Sequence, residues 1–182
     1  MKAALIFIIN TLAQLYLLLV LLRFWLPWLR ADFRNPVAQA ILRLTSPLVN
    51  PVRRFVPPVG RVDTATLIVA FVIQYLTILI ILAISGTAVG IVPIALTSLI
   101  DLSLLTLRLF VFAIFIRIIL SWLAPQTYNP ATAILTTITE PVLRPFRRLI
   151  PPLGGLDISP IFAIILLMAL SIVLTEARPL PI

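Results

Sequence analysis

The side chains that could do chemistry in this chain are few and lopsided: fourteen Lys+Arg stand against six Asp+Glu, with no His and no Cys. Thirteen of the fourteen cations are Arg, which keeps its charge in any environment and forks onto phosphate or carboxylate oxygens. Without Cys or His there is no thiol nucleophile, no disulfide and no usual ligand set for zinc, haem or iron–sulfur. The acids are Asp32, Asp63, Asp101, Glu140, Asp157 and Glu176, and no two fall at the spacing of a local catalytic dyad or a carboxylate metal cluster. The expectation is a protein that is not an enzyme, holds no metal and needs no cofactor. The chemistry left to it is recognition of negative charge, and the adjacent pairs Arg53-Arg54 and Arg147-Arg148 are the candidates.

The elements that must position these pairs are set by hydropathy. Of 182 residues 62% are hydrophobic and 11% charged, with a mean hydropathy of +1.19, whereas a soluble domain carries about 25% charged residues. Crossing roughly 30 Å of hydrocarbon takes about 20 apolar residues, and four windows meet that length: Ala3–Leu22, Thr64–Ala83, Thr97–Ile116 and Ile158–Thr175. The first runs into Arg23-Phe24-Trp25 with no small-residue cleavage site and reads as a permanent anchor. Arg23–Asp63 and Arg117–Asp157 together carry eleven of the fourteen cations, while Ile84–Leu96 carries none. The positive-inside rule then places both Arg-rich connections in the cytoplasm and both termini outside.

The two connections are also copies. A shift of 94 residues aligns them without a gap, with fifteen of 41 positions identical, among them Arg23/Arg117, Thr45/Thr139, Pro51/Pro145, Arg53/Arg147, Arg54/Arg148 and Asp63/Asp157. Each copy carries two spans, so the second enters with the orientation of the first. The expected fold is therefore an all-α integral membrane protein, with four transmembrane helices in two parallel repeats (residues 1–84 and 95–182) and short interfacial helices in the cytoplasmic connections.

Asn35-Pro36 and Asn129-Pro130 put a capping side chain before a proline at the first helical position. From there Val37, Ile41 and Leu44, and likewise Ala131, Leu135 and Ile138, predict one apolar stripe on each connection helix. Prolines then bracket Arg53-Arg54 and Arg147-Arg148 in what reads as a single separate turn. Asp63 and Asp157 precede the second and fourth spans, where a carboxylate caps free N–H groups.

Arg117-Ile-Ile-Leu-Ser-Trp122, Asn129-Pro130, Thr139-Glu140-Pro141, Pro145-Phe-Arg-Arg148, Pro151-Pro152-Leu-Gly-Gly155 and Asp157-Ile-Ser-Pro160 resemble the signature of the YggT/YlmG family of small bacterial and plastid membrane proteins. Repeat one departs from it at Pro27 for Ser121, Ser46 for Glu140, Arg61 for Gly155 and Thr66 for Pro160. The resemblance implies a multi-pass protein of the bacterial cytoplasmic membrane, linked to osmotic or envelope stress, cell division or nucleoid distribution, and in plastids to cytochrome b assembly. It implies no enzymatic activity.

Inside the spans, Arg108 sits near mid-bilayer, where an unpartnered Arg costs about 2.5–3.5 kcal/mol on insertion scales. Asp101, two turns earlier, is its expected partner, with Gln14 at the aligned place in the first span and Asn10 one turn away. These four are read as an inward-facing polar network, Gln74 as a packing amide, and Arg23 and Arg117 as snorkelling span ends. The function expected is that of a non-catalytic membrane factor whose Arg pairs engage anionic lipid or an acidic surface on a membrane or cytoplasmic protein. A homo-oligomer is compatible with this. No nucleic-acid motif accompanies the charge. The alternative is a channel or transporter-like protein with a polar path through Asp101 and Arg108.

Overall fold

The computed structural model describes residues 1–60, 62–123, 129–150 and 157–180. Among them are six helices and no strand: α1 (Lys2–Trp28), α2 (Pro36–Arg53), α3 (Thr64–Ser85), α4 (Ile91–Leu123), α5 (Pro130–Leu149) and α6 (Ser159–Glu176). Four of them, α1, α3, α4 and α6, are long and apolar enough to cross a membrane, so the four expected spans stand. α3 runs two residues past its hydropathy window, and α1 and α4 exceed theirs by more. α1 continues past Arg23 to Trp28 with Pro27 in its last turn. α4 starts six residues before Thr97, with Pro93 in its first turn, where a missing N–H breaks no intrahelical bond, and its 33 residues reach about 50 Å. Between α3 and α4 the chain turns at Gly86, whose φ of 79° closes α3 in the left-handed conformation that glycine adopts without strain.

The connection helices begin where expected. Asn35 Oδ1 accepts from Val37 N at 2.8 Å, and Asn129 Oδ1 accepts from Thr132 N at 2.9 Å while Thr132 Oγ1 accepts from Asn129 N at 3.0 Å, a reciprocal capping box. Asn35 also donates its Nδ2 to Pro130 O at 2.7 Å, which ties the start of α2 to the start of α5.

Their ends differ from the sequence reading. No separate proline-bracketed turn forms: α2 continues through Pro47 and Pro51, and α5 through Pro141 and Pro145. All four prolines are exposed, so the carbonyls they leave without an N–H partner face outward, where solvent can take them. The apolar stripe is also displaced. Leu44 and Ala131 are exposed, and the buried line is Ala38, Ile41, Thr45 and Val49 on α2, and Ile134, Ile138, Thr139 and Leu143 on α5.

That line packs on spans. Ala38 and Ile41 meet Leu26 of α1, Phe110 and Ala113 of α4, and Ile134 and Ile138 of α5 in one cluster. Val49 packs on Ala65 and Val69 of α3, and Leu143 on Ile114 and Ala163 of α4 and α6. Leu17, Val20 and Leu21 of α1 join Ala70 and Leu105. Outward, Phe7, Ile8, Leu12, Phe112, Phe115, Ile165 and Ile172 leave 52–70% of their surface open, as a lipid-facing surface does.

Candidate functional site

Residues aligned by the 94-residue shift build two arginine clusters, one where α1 and α2 meet the start of α3 and one where α4 and α5 meet the start of α6. In the first, the guanidinium of Arg23 on α1 turns inward, 3% exposed. Its Nη1 donates to Thr45 Oγ1 at 3.0 Å, Ser46 Oγ at 3.1 Å and Leu42 O at 3.4 Å, and its Nη2 to Asn50 Oδ1 at 3.4 Å. Its Nε lies 4.0 Å from Asp63 Oδ2. Arg53 Nη2 donates to that same carboxylate oxygen, as does Thr66 Oγ1 at 2.7 Å, while Asp63 Oδ1 caps α3 by accepting from Thr66 N at 3.3 Å.

In the second cluster Arg117 Nη1 donates to Thr139 Oγ1 at 2.7 Å, and both of its terminal nitrogens reach Glu140 Oε2 at 3.0 Å. Arg147 bridges the two carboxylates, with Nη1 on Glu140 Oε1 at 3.0 Å and Nε on Asp157 Oδ2 at 2.8 Å. Asp157 Oδ1 accepts from Ser159 N at 3.0 Å. Where the first cluster uses neutral Ser46 and Asn50, the second uses Glu140. Formal charges of Arg23, Arg53 and Asp63 sum to +1, and those of Arg117, Arg147, Glu140 and Asp157 to zero.

Two expectations are thereby corrected. Arg23 and Arg117 do not snorkel outward, because hydroxyl and carbonyl acceptors on the connection helix lie within reach. Arg53 and Arg147 are not free clamps, since each is spent on an internal carboxylate. The members missed were Thr45, Ser46, Asn50, Thr139 and Glu140, although Thr45/Thr139 is one of the identical pairs. Asp63 caps α3 as expected, whereas the N-cap position of α6 is Ile158 and Asp157, one residue before it, accepts from Ser159 N. Pro151, Pro152, Gly154 and Gly155 of the motif lie outside the described residues, as does Arg61.

Burial pushes the Glu140 and Asp157 carboxyls up, but their hydrogen-bond and ion-pair partners outweigh it. Arg117 and Arg147 hold Glu140 below the ordinary range of its type, and Ser159 with Arg147 does the same for Asp157. A carboxyl that titrates lower in the folded state adds stability in full above its ordinary range, and loses it as pH falls through the lowered native value. Acidification should therefore loosen the end of α5. Carbon NMR titration of Glu140 and Asp157 checks this: both midpoints should lie below those of free side chains, and Arg147→Gln should raise both.

Arg54 and Arg148, the other half of each pair, are exposed, as are Arg30, Arg34, Arg43 and Arg144. None of the six makes a side-chain ion pair among the described residues.

The intramembrane residues gather around a cavity of about 250 Å³ between α1, α3 and α4, lined by Asn10, Gln14, Gln74, Thr77, Asp101, Arg108 and Arg178 together with aliphatic side chains. All four expected residues are there, but the pairing differs. Asp101 is held by Arg178, with Nε on Oδ1 at 2.9 Å and Nη2 on Oδ2 at 3.0 Å, and by Gln74 Nε2 at 2.9 Å. Arg178 returns to α4 from just beyond α6, where a linear reading sees only a tail. Gln74 is thus a ligand of the carboxylate as well as a packing amide. Gln14 Nε2 donates to Asn10 Oδ1 at 3.4 Å. Arg108 makes no hydrogen bond or ion pair among the described residues. The four candidate spans, the paired arginine clusters and the polar cavity describe a polytopic all-α protein.

The CCB3/YggT family profile matches residues 2–84 and 96–177. The chain belongs to this family. Uncharacterized protein PA0392 of Pseudomonas aeruginosa is 47% identical over 169 residues, covering 92% of this chain and 86% of its own. Uncharacterized protein YggT of Escherichia coli K12 is 32% identical over 171 residues, 93% of this chain and 88% of its own. YlmG homolog protein 2, chloroplastic, of Arabidopsis thaliana is 42% identical over 69 residues, 36% of this chain and 25% of its own. No solved structure matches.

Proposed function

We propose that this protein is a non-catalytic factor of the bacterial cytoplasmic membrane, built of two parallel repeats, that gathers anionic lipid head groups at its Arg-rich cytoplasmic end in support of envelope stress response, cell division or membrane-complex assembly. The observation that carries the reading is the division of labour among the arginines. Four are committed to the internal clusters, and six at the same end stay exposed without an acidic partner among the described residues. Both termini lie outside the cytoplasm in this reading, because the charge asymmetry between the connections fixes orientation.

Cations near an anionic surface are worth about 1 kcal/mol each before screening by salt. Replacing Arg43, Arg54, Arg144 and Arg148 by Gln should therefore weaken retention of phosphatidylglycerol by up to about a thousandfold, read by native mass spectrometry of the detergent-solubilised protein. Retention equal to that of the parent would sink the proposal and leave an acidic protein surface as the target. The same positions changed to Lys keep the charge without the fork, so a loss with Lys identifies bidentate recognition.

A second reading, transport, is favoured by the polar cavity. Its mark would be flux in liposomes that changes with Arg108.

A further inference from the structure

The cavity between α1, α3 and α4 has an unbalanced wall. Its ionic lining is Arg108, Arg178 and Asp101, and two of these cancel, because Arg178 grips Asp101 through both carboxylate oxygens. Gln74 adds a hydrogen bond to the carboxylate oxygen that already accepts from Arg178 Nη2. The remaining charge is +1, and it is Arg108, which lines the cavity while itself exposed and whose five N–H donors have no acceptor among the described residues. Around it stand amides with donors to spare. The Gln14 nitrogen uses one hydrogen on Asn10 Oδ1, leaving its second and both hydrogens of the Asn10 nitrogen without an acceptor among the described residues.

A guanidinium at this depth, the eighteenth residue of the 33 in α4, is costly without a counter-charge. Donors converging from two helices with one net positive charge form a receptor for one negative charge. We propose that the cavity is a binding site for a single small monovalent anion, a halide, nitrate or short carboxylate, anchored on Arg108, with Asn10 and Gln14 as supporting donors and Arg178 as a positioning residue that silences Asp101. About 250 Å³ lies below the low end of small-molecule pockets, which suits such an anion with a few waters. The site is distinct from the exposed arginines of the lipid reading, which occupy the cytoplasmic end.

The test uses the full chain in phosphatidylcholine nanodiscs, titrated with chloride, nitrate or acetate against gluconate at constant ionic strength. It is read by thermal melting and by line broadening of the chloride resonance. Small anions should raise the melting temperature, and gluconate should not. Affinity should follow the net charge of the lining. Asp101→Asn (+2) should bind more tightly than the parent (+1), the double variant Asp101→Asn/Arg178→Gln (+1) about as the parent does, and Arg178→Gln and Arg108→Gln (both zero) about tenfold to a hundredfold more weakly, from loss of charge-assisted hydrogen bonding. The gain in Asp101→Asn cannot come from misfolding. Arg54→Gln/Arg148→Gln should leave the response unchanged, which separates this site from the surface arginines whatever the outcome of the lipid experiment.

Repetition of the parent titration in phosphatidylglycerol nanodiscs separates two sources of the same chemistry. A chloride response that persists identifies a free anion. One that disappears there, and only there, identifies a lipid phosphate reaching Arg108. An Arg108→Gln response equal to the parent's, or no preference for small anions over gluconate, overturns the proposal.

Discussion

Arg23→Leu should be among the most damaging single substitutions in this protein, and clearly worse than the aligned Arg117→Leu. Arg23 has a 3% exposed side chain and satisfies two hydroxyls, a main-chain carbonyl and the Asn50 amide while standing 4.0 Å from Asp63. Its removal takes the donor from the buried Thr45 hydroxyl and leaves a buried carboxylate, 9% exposed, with one ionic partner that is itself 42% exposed. Breaking a buried charge network in this way costs about 3–5 kcal/mol. Arg117 is 23% exposed and its partner Glu140 41%, so water can replace much of what is lost, and Arg147 still holds Glu140. Equilibrium unfolding of the two variants, by steric trapping or denaturant, measures the difference. Equal losses would mean that the hydroxyl and amide ligands of Arg23 contribute nothing beyond what Glu140 does. Arg23→Lys should recover little, because one ammonium cannot reach acceptors spread over Leu42, Thr45, Ser46 and Asn50.

What was legible in the sequence was whatever depends on local pattern. Four apolar runs announced four span-like helices, and Asn-Pro announced the starts of α2 and α5, since a cap needs only its next few residues. Asp63 was legible as the cap of α3 for the same reason, while at α6 the cap position falls one residue later, on Ile158. What was not legible depended on distance in space. Pro51 and Pro145 read as helix breakers, yet exposure on one face lets solvent take the freed carbonyls. Arg23 read as a span end because nothing in its own neighbourhood reveals that α2 folds back to offer Thr45 and Ser46. The shift of 94 residues did contain the hint, as it pairs Arg23 with Arg117 and Thr45 with Thr139 together, and paired identities 22 residues apart within each copy are what a contact between them would leave. Arg108 and Asp101 were paired because they share a helix face. The structure instead brings Arg178 to Asp101 from 77 residues away.

That long-range pair gives an asymmetric double-mutant cycle. Arg178→Gln removes both ionic contacts and leaves Asp101, 14% exposed on a span, with one amide bond from Gln74. A carboxylate left so costs about 3 kcal/mol or more in low dielectric. Asp101→Asn leaves Arg178 in the cavity lining, 21% exposed, and the amide oxygen of the introduced asparagine can still accept from Gln74 and from Arg178. The loss there should be smaller, because no unpaired carboxylate is left in the span. Asp101→Asn/Arg178→Gln should then resemble Asp101→Asn rather than the sum of the singles, because the cost of Arg178→Gln exists only while residue 101 carries charge. Unfolding free energies of the four proteins give the interaction term directly. Additive losses would mean that Arg178 serves only to anchor the segment carrying Leu180, which packs beside Ile78, Leu82 and Ile94, and that its contact with Asp101 contributes nothing.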